Sequence, residues 1–299
     1  MPYILQPLER NRHAALEYNR HAALEYTVPD MANSPIDAVI LGLVEGITEF
    51  LPVSSTGHLI VTKQALGFVD PTDTYEIVIQ TGAILAVIWY YRLDLLRQIR
   101  SLPSSKPVQN LFWGVVIGFL PAAVLGVLFG DLITQYLFSP LTVAISLILG
   151  GGVIWYVEAQ KLTVRIRDLE QISLKEAVTI GFIQCIALIP GVSRSLASIF
   201  GGMYLGLDRK TAAQFSFYLG MPTLIGAGVY KLLKNPEAVA GFGALNLGIG
   251  LVVSFISALA AVSWLLRYIS SHDFKGFAIY RVIAGVVILL LIAAGFLPL

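Results

Sequence analysis

Two acidic residues, Glu45 and Glu49, lie four positions apart in an otherwise apolar part of the chain. A spacing of four places both side chains on one face of a helix. Carboxylates in a membrane segment are costly, and by default they mark a functional site. Glu45 and Glu49 therefore fit a base or a cation ligand. The alternative is a pair that is hydrogen-bonded to neighbouring helices.

Three hydroxyl side chains and a histidine follow these glutamates, in a turn and at the start of the next helical segment. Ser54, Ser55 and Thr56 precede His58. Serine and threonine are common helix N-caps, but capping explains only one of the three. A hydroxyl can act as a nucleophile, and a neighbouring histidine can move its proton. We expect Ser55 to be the nucleophile, and Ser54 and Thr56 are the alternative candidates. If Ser55 is the nucleophile, we expect Ser54 and Thr56 to bind phosphate.

A positive charge stands in a second polar turn, far along the chain. Arg194 lies between Ser193 and Ser195 and directly before a helical segment. The planar fork of arginine matches two phosphate oxygens, and free N–H groups at a helix N-terminus favour anions. We expect these three residues to bind phosphate. The alternative for Arg194 is a salt bridge to Glu45 or Glu49, and such a bridge could also hold the empty site.

The elements that must position these residues are membrane helices. Hydrophobic residues make up 56% of the 299 residues, and charged residues make up 13%, against about 25% charged residues in soluble domains. A membrane-crossing helix needs roughly 20 apolar residues. The fold is therefore predicted to be all-α and polytopic. Six stretches qualify as transmembrane helices, namely about 75–91, 111–130, 140–160, 211–232, 242–266 and 277–298.

Two further apolar stretches, 36–68 and 174–206, are broken at their centres by turns rich in proline and serine. The turns are residues 51–57 and 189–195, and each half-stretch is too short to span a bilayer. Irregular backbone at membrane depth is tolerated only where it lines a cavity in the protein. We therefore predict two re-entrant helical hairpins whose tips lie at membrane depth.

Basic residues set the expected orientation of these elements. If each hairpin returns to its own side, one face receives thirteen basic residues, in segments 92–109, 161–176, 209–210 and 267–281. The opposite face receives three lysines. The positive-inside rule then places the basic face in the cytoplasm and both termini outside.

The two broken stretches also resemble each other. Residues 37–42 align with residues 176–181, and Ser54 aligns with Ser193, at a constant spacing of 139 positions. Three predicted spans separate the copies, so the repeat is inverted. The two tips should then meet, as they do in inverted-repeat transporters.

The two copies differ at the positions where chemistry is expected. Glu49 aligns with Leu188, and Arg194 aligns with Ser55. One half therefore keeps the acids, and the other half keeps the arginine. Phosphoryl transfer needs one group that activates the nucleophile and another that binds the charge of the phosphate, whereas a transport path needs no such division.

The first residues are expected to lie outside this fold. The octad NRHAALEY occurs twice in succession within residues 11–26, and a perfect tandem octad is rare in a natural fold. We expect residues 1–32 to be a leader or processing remnant. Residues 33–299 then form a single membrane domain made of two inverted repeats, about 36–160 and 174–299.

Cysteine content and net charge exclude some kinds of site. The chain has one cysteine, Cys185, so that it can form neither an intrachain disulfide nor a metal site built from cysteines. The formal net charge of +1 gives no reason to expect a nucleic-acid partner. The expected partners are the lipid bilayer and a lipid substrate, and a homodimer stays open beside a monomer.

The polar turns resemble the motifs of a known family. The string EGITEFLPVSSTGH at 45–58 is similar to the first motif of the bacterial undecaprenyl-diphosphatase family, the bacitracin-resistance phosphatases. The string PGVSRS at 190–195 resembles the second motif, and the similarity extends over residues 36–299. One departure is Leu196, where the family commonly has glycine. This departure concerns the backbone after Arg194.

The resemblance implies an activity and a location. The activity is removal of the terminal phosphate from undecaprenyl pyrophosphate, which yields undecaprenyl phosphate, the carrier lipid for cell-wall precursors. The location is the bacterial inner membrane, with a site that opens to the periplasmic side. The resemblance also implies a divalent cation, Mg²⁺ or Ca²⁺. Glu45 and Glu49 would bind this cation or orient His58, which would activate the hydroxyl or protonate the leaving oxygen.

Two alternatives stay open beside this mechanism. In the first, water attacks phosphorus directly and the hydroxyls only bind phosphate. In the second, the chain is an inverted-repeat transporter or a lipid flippase, which the internal repeat favours. Phosphate release by detergent-solubilised protein separates an enzyme from a transporter, because a detergent solution has no compartments.

Overall fold

The structure, a computed structural model, describes residues 34–70, 73–234 and 242–298. Within these ranges the protein is all helical, as the sequence predicts, apart from one isolated β-bridge between Ile166 and Leu207. The predicted leader, residues 1–32, lies outside the described residues. The described α-helices are α1 Pro35–Thr48, α2 Ser55–Leu66, α3 Thr74–Tyr90, α4 Arg92–Ser101, α5 Lys106–Leu137, α6 Pro140–Ala159, α7 Leu174–Gln184, α8 Arg194–Tyr204, α9 Arg209–Lys234, α10 Ala244–Tyr268 and α11 Lys275–Ala293.

Four of the described helices, α5, α6, α10 and α11, are long and apolar enough to cross a membrane. They correspond to four of the six predicted spans, and the chain is a multi-pass membrane protein. The predicted span at 75–91 becomes α3, which is apolar but has only 17 residues. The predicted span at 211–232 becomes α9, which has 26 residues but is not among the four.

Each broken apolar stretch folds as two short helices with an irregular turn between them. In the first stretch, α1 has 14 residues and α2 has 12. In the second, α7 has 11 residues, continues as a 3₁₀ turn over Cys185–Leu188, and is followed by α8 with 11 residues. A span of about 20 residues is therefore not reached by any of the four helices. Prolines in both turns prevent a continuous helix, since proline lacks the N–H donor.

The same local features recur in the two halves at the spacing of 139 residues. Ser34 and Ser173 each form a capping box at the start of α1 and α7. Ser54 and Ser193 precede α2 and α8, and both have a positive φ, of 70° and 77°. A positive φ is uncommon outside glycine. The two turns therefore share an unusual backbone as well as a sequence.

The two halves interlock through their short helices. Helix α1 of the first half packs against α10 of the second, and α7 of the second half packs against α5 of the first. Glycines allow the close approach: a Cβ atom at Gly42 would lie 2.7 Å from the carbonyl oxygen of Gly250, and one at Gly181 would overlap Gly118. Small residues have this role in membrane helix packing generally. Because each half packs a short helix against a long helix of the other half, the turns of both halves lie together.

One of the thirteen basic residues lies elsewhere than predicted. Arg281 was expected in a loop on the basic face, but it lies in the second turn of α11 and is 0% exposed. The helix begins six residues earlier, at Lys275, which carries Arg281 into the protein interior. Twelve residues therefore remain in the set that supports the orientation.

Candidate active site

The two turns contact each other and enclose a small cavity of about 170 Å³. The hydroxyl of Ser195, in the second turn, donates a hydrogen bond of 2.8 Å to the carbonyl oxygen of Leu51, in the first. The predicted meeting of the tips is thus confirmed. Helix α3 closes the cavity with Gln80. The polar residues that line it are Glu49, Ser54, Ser55 and Thr56 from the first half, with Ser193 and Arg194 from the second.

Glu49 joins the predicted nucleophile to the predicted phosphate ligand. The hydroxyl of Ser55 donates a hydrogen bond of 2.6 Å to Oε2 of Glu49. Nη2 of Arg194 forms an ion pair of 3.0 Å with Oε1 of the same carboxylate. Glu49 directly follows α1, and Ser55 begins α2, so the first turn folds the hydroxyl back onto the acid. A nucleophile and a base in hydrogen-bond contact have the geometry of nucleophilic catalysis.

Arg194 is held on three sides and keeps one donor free. Besides Glu49, its guanidinium contacts the carbonyl oxygen of Ser216 through Nη1, at 2.9 Å, and lies 5.4 Å from the ring centroid of Phe50. Nε is buried and has no partner among the residues that the structure describes. The salt-bridge alternative is therefore observed with Glu49. The ion pair leaves Nε of this cavity-lining arginine without a partner in the described part of the chain.

The serines around Arg194 divide into two roles. Ser193 lines the cavity, and its hydroxyl accepts a hydrogen bond of 3.2 Å from the Leu196 backbone N–H at the start of α8. Ser195 was expected to bind phosphate, but it is 0% exposed and its hydroxyl proton is bound by Leu51. Ser195 therefore ties the two turns together. The reason is that α8 is a helix, so the side chain of Ser195 points in a different direction from that of Arg194, the residue before it.

Ser54 does not cap the helix that it precedes. Its side chain makes no capping hydrogen bond to α2, whereas the equivalent Ser193 caps α8. Capping therefore does not account for Ser54. Ser54 and Thr56 both line the cavity, so both hydroxyls can reach a bound phosphate.

His58 is bound by a partner that sequence reasoning did not find. Its Nδ1 lies 2.7 Å from the carbonyl oxygen of Ser54, and its Nε2 lies 2.6 Å from the hydroxyl of Tyr280. The carbonyl oxygen can only accept, so Nδ1 carries the proton, and Nε2 of a neutral ring accepts from Tyr280. Of the two roles expected for the glutamates, cation binding and orientation of His58, the second is not observed: the Ser54 carbonyl and the Tyr280 hydroxyl orient the ring. Both ring nitrogens are thus used by Ser54 and Tyr280, and the Ser55 hydroxyl is bound by Glu49 instead.

Glu45 lies one helical turn before Glu49 and is 0% exposed. Both of its carboxylate oxygens lack a hydrogen-bond partner within the described ranges. Gln184, its equivalent in the second half, is likewise buried, with both amide atoms unpartnered there. Among the described residues, no group of three or more His, Cys, Asp or Glu side chains could hold a metal ion. Of these two acids, Glu49 lines the cavity, whereas Glu45 is buried one helical turn earlier.

Three residues at or beside the site were not predicted from the sequence. Ser216 and Tyr280 are ordinary polar residues in long helices, and nothing local distinguishes them. Arg281 had a signal, because it falls within the predicted span at 277–298, where an arginine requires a partner. Its place within the span is therefore better evidence for burial than its closeness to the first residue of the span is for a position in the loop.

Comparison with known proteins identifies the family. A family model described as bacitracin resistance protein BacA matches residues 38–287. The undecaprenyl-diphosphatase of Deinococcus radiodurans is 53% identical over 264 residues, which cover 87% of this chain and 96% of that protein. Those of Deinococcus deserti and Polaromonas naphthalenivorans are each 49% identical, over 263 and 259 residues, covering 86% and 85% of this chain and 95% and 94% of the relatives. The chain belongs to the bacitracin resistance protein BacA family.

Proposed function

We infer that the chain is an undecaprenyl-diphosphatase, which hydrolyses undecaprenyl pyrophosphate to undecaprenyl phosphate and inorganic phosphate. One observation carries this inference furthest: the carboxylate of Glu49 binds the hydroxyl of Ser55 with one oxygen and the guanidinium of Arg194 with the other. A base, a nucleophile and an anion ligand thus surround one small cavity. Relatives that align over almost their whole length carry the name of this activity.

The substrate is expected to enter the cavity headgroup first. The pyrophosphate would be bound by Arg194, by the hydroxyls of Ser54, Thr56 and Ser193, and by the N-terminal N–H groups of α2 and α8. The prenyl tail would stay in lipid between the helices. As phosphate arrives, its oxygens replace part of the Arg194–Glu49 ion pair, which frees Glu49 to act as a base.

Ser55 is the proposed nucleophile, and Glu49 is its proposed base. The Ser55 oxygen forms a bond to the terminal phosphorus, and its proton passes to Glu49. The bond from phosphorus to the bridging oxygen breaks, and undecaprenyl phosphate leaves with the proton that Glu49 returns. Water then attacks the phosphoserine and gives its proton to Glu49, Ser55 regains a proton, and inorganic phosphate is released. His58 holds the turn in place through the Ser54 carbonyl.

A divalent cation, Mg²⁺ or Ca²⁺, would be held first by Glu45, which lies one helical turn before the cavity residue Glu49. Its two buried oxygens lack partners in the described part of the chain, and hard cations prefer carboxylate oxygens. Glu49 is the second candidate ligand. Such a cation would neutralise the phosphate charge when bound. Glu45 would then hold positive charge near the site when the cation is bound.

We further propose the arrangement in the membrane. The helices α3 and α9 complete six spans, the two turns are tips of re-entrant hairpins, and the repeat is inverted. The remaining twelve basic residues support a cytoplasmic face at 92–109 and 161–176, with both termini and the cavity on the periplasmic side of the inner membrane. Labelling of single cysteines at positions 101 and 136, in a chain whose Cys185 is replaced by serine, tests this orientation. Labelling of position 101 from outside would overturn it.

A transporter or lipid flippase is the second candidate, and the repeated backbone of the two turns favours it. The unequal side chains of the turns count against it, because an alternating path needs no nucleophile on one side only. The deciding experiment is phosphate release from undecaprenyl pyrophosphate by purified protein in detergent, with and without chelator. Release of phosphate supports the hydrolase. If folded protein releases no phosphate in the presence of the cation, the transporter becomes the favoured function.

A further inference from the structure

Arg281 is completely buried and binds only backbone carbonyl groups. Its guanidinium donates four hydrogen bonds: to Pro52 at 3.1 Å, to Gly191 at 2.8 Å, to Ser146 at 3.1 Å and to Leu147 at 3.3 Å. Four of the five N–H donors of an arginine are thus used. The acceptors come from three separate parts of the chain.

Two of these acceptors lie in the two turns that form the cavity. Pro52 precedes Ser55 by three residues, and Gly191 precedes Arg194 by three residues. In each turn, therefore, Arg281 binds the carbonyl group three residues before the residue proposed to act on the substrate. The other two acceptors lie in α6, which fixes the guanidinium against a membrane-spanning helix.

The positive charge of Arg281 has no acidic partner among the described residues. An unpaired arginine in a membrane protein is expensive, and carbonyl dipoles offset the cost only in part. Neutral side chains could fill the same space at lower cost. Retaining an arginine here is explained if one group must hold both turns at once.

We propose that Arg281 is a positioning residue that sets the distance between Ser55 and Arg194. The inference rests on the proposed function, because it assigns Arg281 to the geometry of that site. One rigid, planar group holds the Pro52 carbonyl with one nitrogen and the Gly191 carbonyl with another. The spacing of the turns is then fixed by the guanidinium, and the in-line geometry of attack is fixed with it.

A glycine in α6 provides a test that leaves Arg281 in place. A Cβ atom at Gly150 would lie 2.8 Å from Cζ of Arg281, whereas one at Gly152 would meet nothing within 4 Å. Gly150→Ala therefore displaces the guanidinium of Arg281, which supplies the three heavy atoms nearest to that Cβ, and Gly152→Ala is its matched control. We expect Gly150→Ala to lower kcat by about tenfold to a hundredfold, with a smaller change in KM, since misplaced groups cost rate. We expect Gly152→Ala to keep the parent values.

Arg281→Lys is the second variant, with Arg209→Lys as its control. Lysine keeps the charge but cannot span two carbonyls in one plane. Arg209 pairs with Glu158 outside the cavity, so that its replacement reports on stability alone. We expect Arg281→Lys to lower kcat per folded molecule, measured by phosphate release and by the folded fraction on size-exclusion chromatography.

The outcomes separate this proposal from the proposed function. If the parent protein and Gly152→Ala release no phosphate, the proposed function has failed. If they do, and Gly150→Ala turns over at the control rate, the positioning role is wrong. The role is equally wrong if both test variants lose activity only in proportion to the folded fraction, because Arg281 would then be purely structural.

Discussion

Ser55 and Arg194 occupy equivalent positions in the two halves of the chain, and their side chains bind opposite oxygens of one carboxylate, that of Glu49. Each residue begins the helix that follows its turn, α2 or α8. The internal repeat has thus placed a hydroxyl and a guanidinium on either side of one acid. This arrangement brings the proposed nucleophile, the proposed base and the proposed anion ligand together around one carboxylate.

The first prediction concerns the nucleophile. Ser55→Ala should abolish turnover and leave binding of the lipid pyrophosphate largely intact, because the hydroxyl forms the covalent bond and Arg194 keeps the charge. Kinetic assays and binding assays of Ser54→Ala, Ser55→Ala and Thr56→Ala, side by side, measure it. Ser54→Ala and Thr56→Ala should cost less.

The size of the Ser55→Ala effect decides between two routes. If the variant keeps more than about a tenth of the rate, the barrier has risen by less than about 1.4 kcal/mol. A covalent nucleophile is not removed at so small a cost. Direct attack by water, with Glu49 as the base, would then replace the phosphoserine route.

The second prediction concerns His58. An asparagine at this position can present its amide N–H where Nδ1 lies and so keep the bond to the Ser54 carbonyl, whereas glutamine extends toward the position of Nε2. His58→Asn should therefore retain more activity than His58→Gln, with an unchanged dependence of kcat on pH. Phosphate release across a pH series measures both variants. Equal and severe losses in the two variants would show that His58 transfers a proton.

The third prediction concerns Arg194. Arg194→Lys keeps the charge but cannot bind Glu49, Ser216 and phosphate at once through a planar fork. We expect the protein to fold and the rate to fall on the order of a hundredfold or more, which corresponds to about 3–4 kcal/mol of lost transition-state stabilisation. Steady-state kinetics measure the loss. Near-normal turnover would mean that charge alone suffices.

The fourth prediction concerns Glu45. Burial of an unpaired carboxylate destabilises the folded protein, so Glu45→Gln should raise Tm by about 5 °C in the presence of chelator. The same variant should lose turnover in Mg²⁺ if the carboxylate holds the cation. Gln184→Glu, at the equivalent position, is the control and should lower Tm without a gain in activity. Full Mg²⁺-dependent turnover in Glu45→Gln would remove Glu45 from the cation site.

The sequence by itself determined the all-helical character of the described chain and most of the polar residues that line the cavity. Apolar length, proline position and residue spacing are local properties, and they predicted the broken stretches, the repeat and the residues of both turns. The shared positive φ of Ser54 and Ser193 follows from the same repeated local sequence. The sequence also predicted that the tips meet, because an inverted repeat directs both turns toward one place.

Only the tertiary structure decided which side chains bind each other. Glu49 and Arg194 are 145 residues apart, and His58 and Tyr280 are 222 residues apart. Such pairs depend on how each helix is rotated about its axis, and a spacing pattern leaves that rotation undetermined within a helix that is apolar on every side. Arg281 shows the consequence most clearly. Arg281 can be buried because the two turns and α6 present their carbonyl oxygens at a single point. This point forms only when both turns, α6 and α11 have packed together.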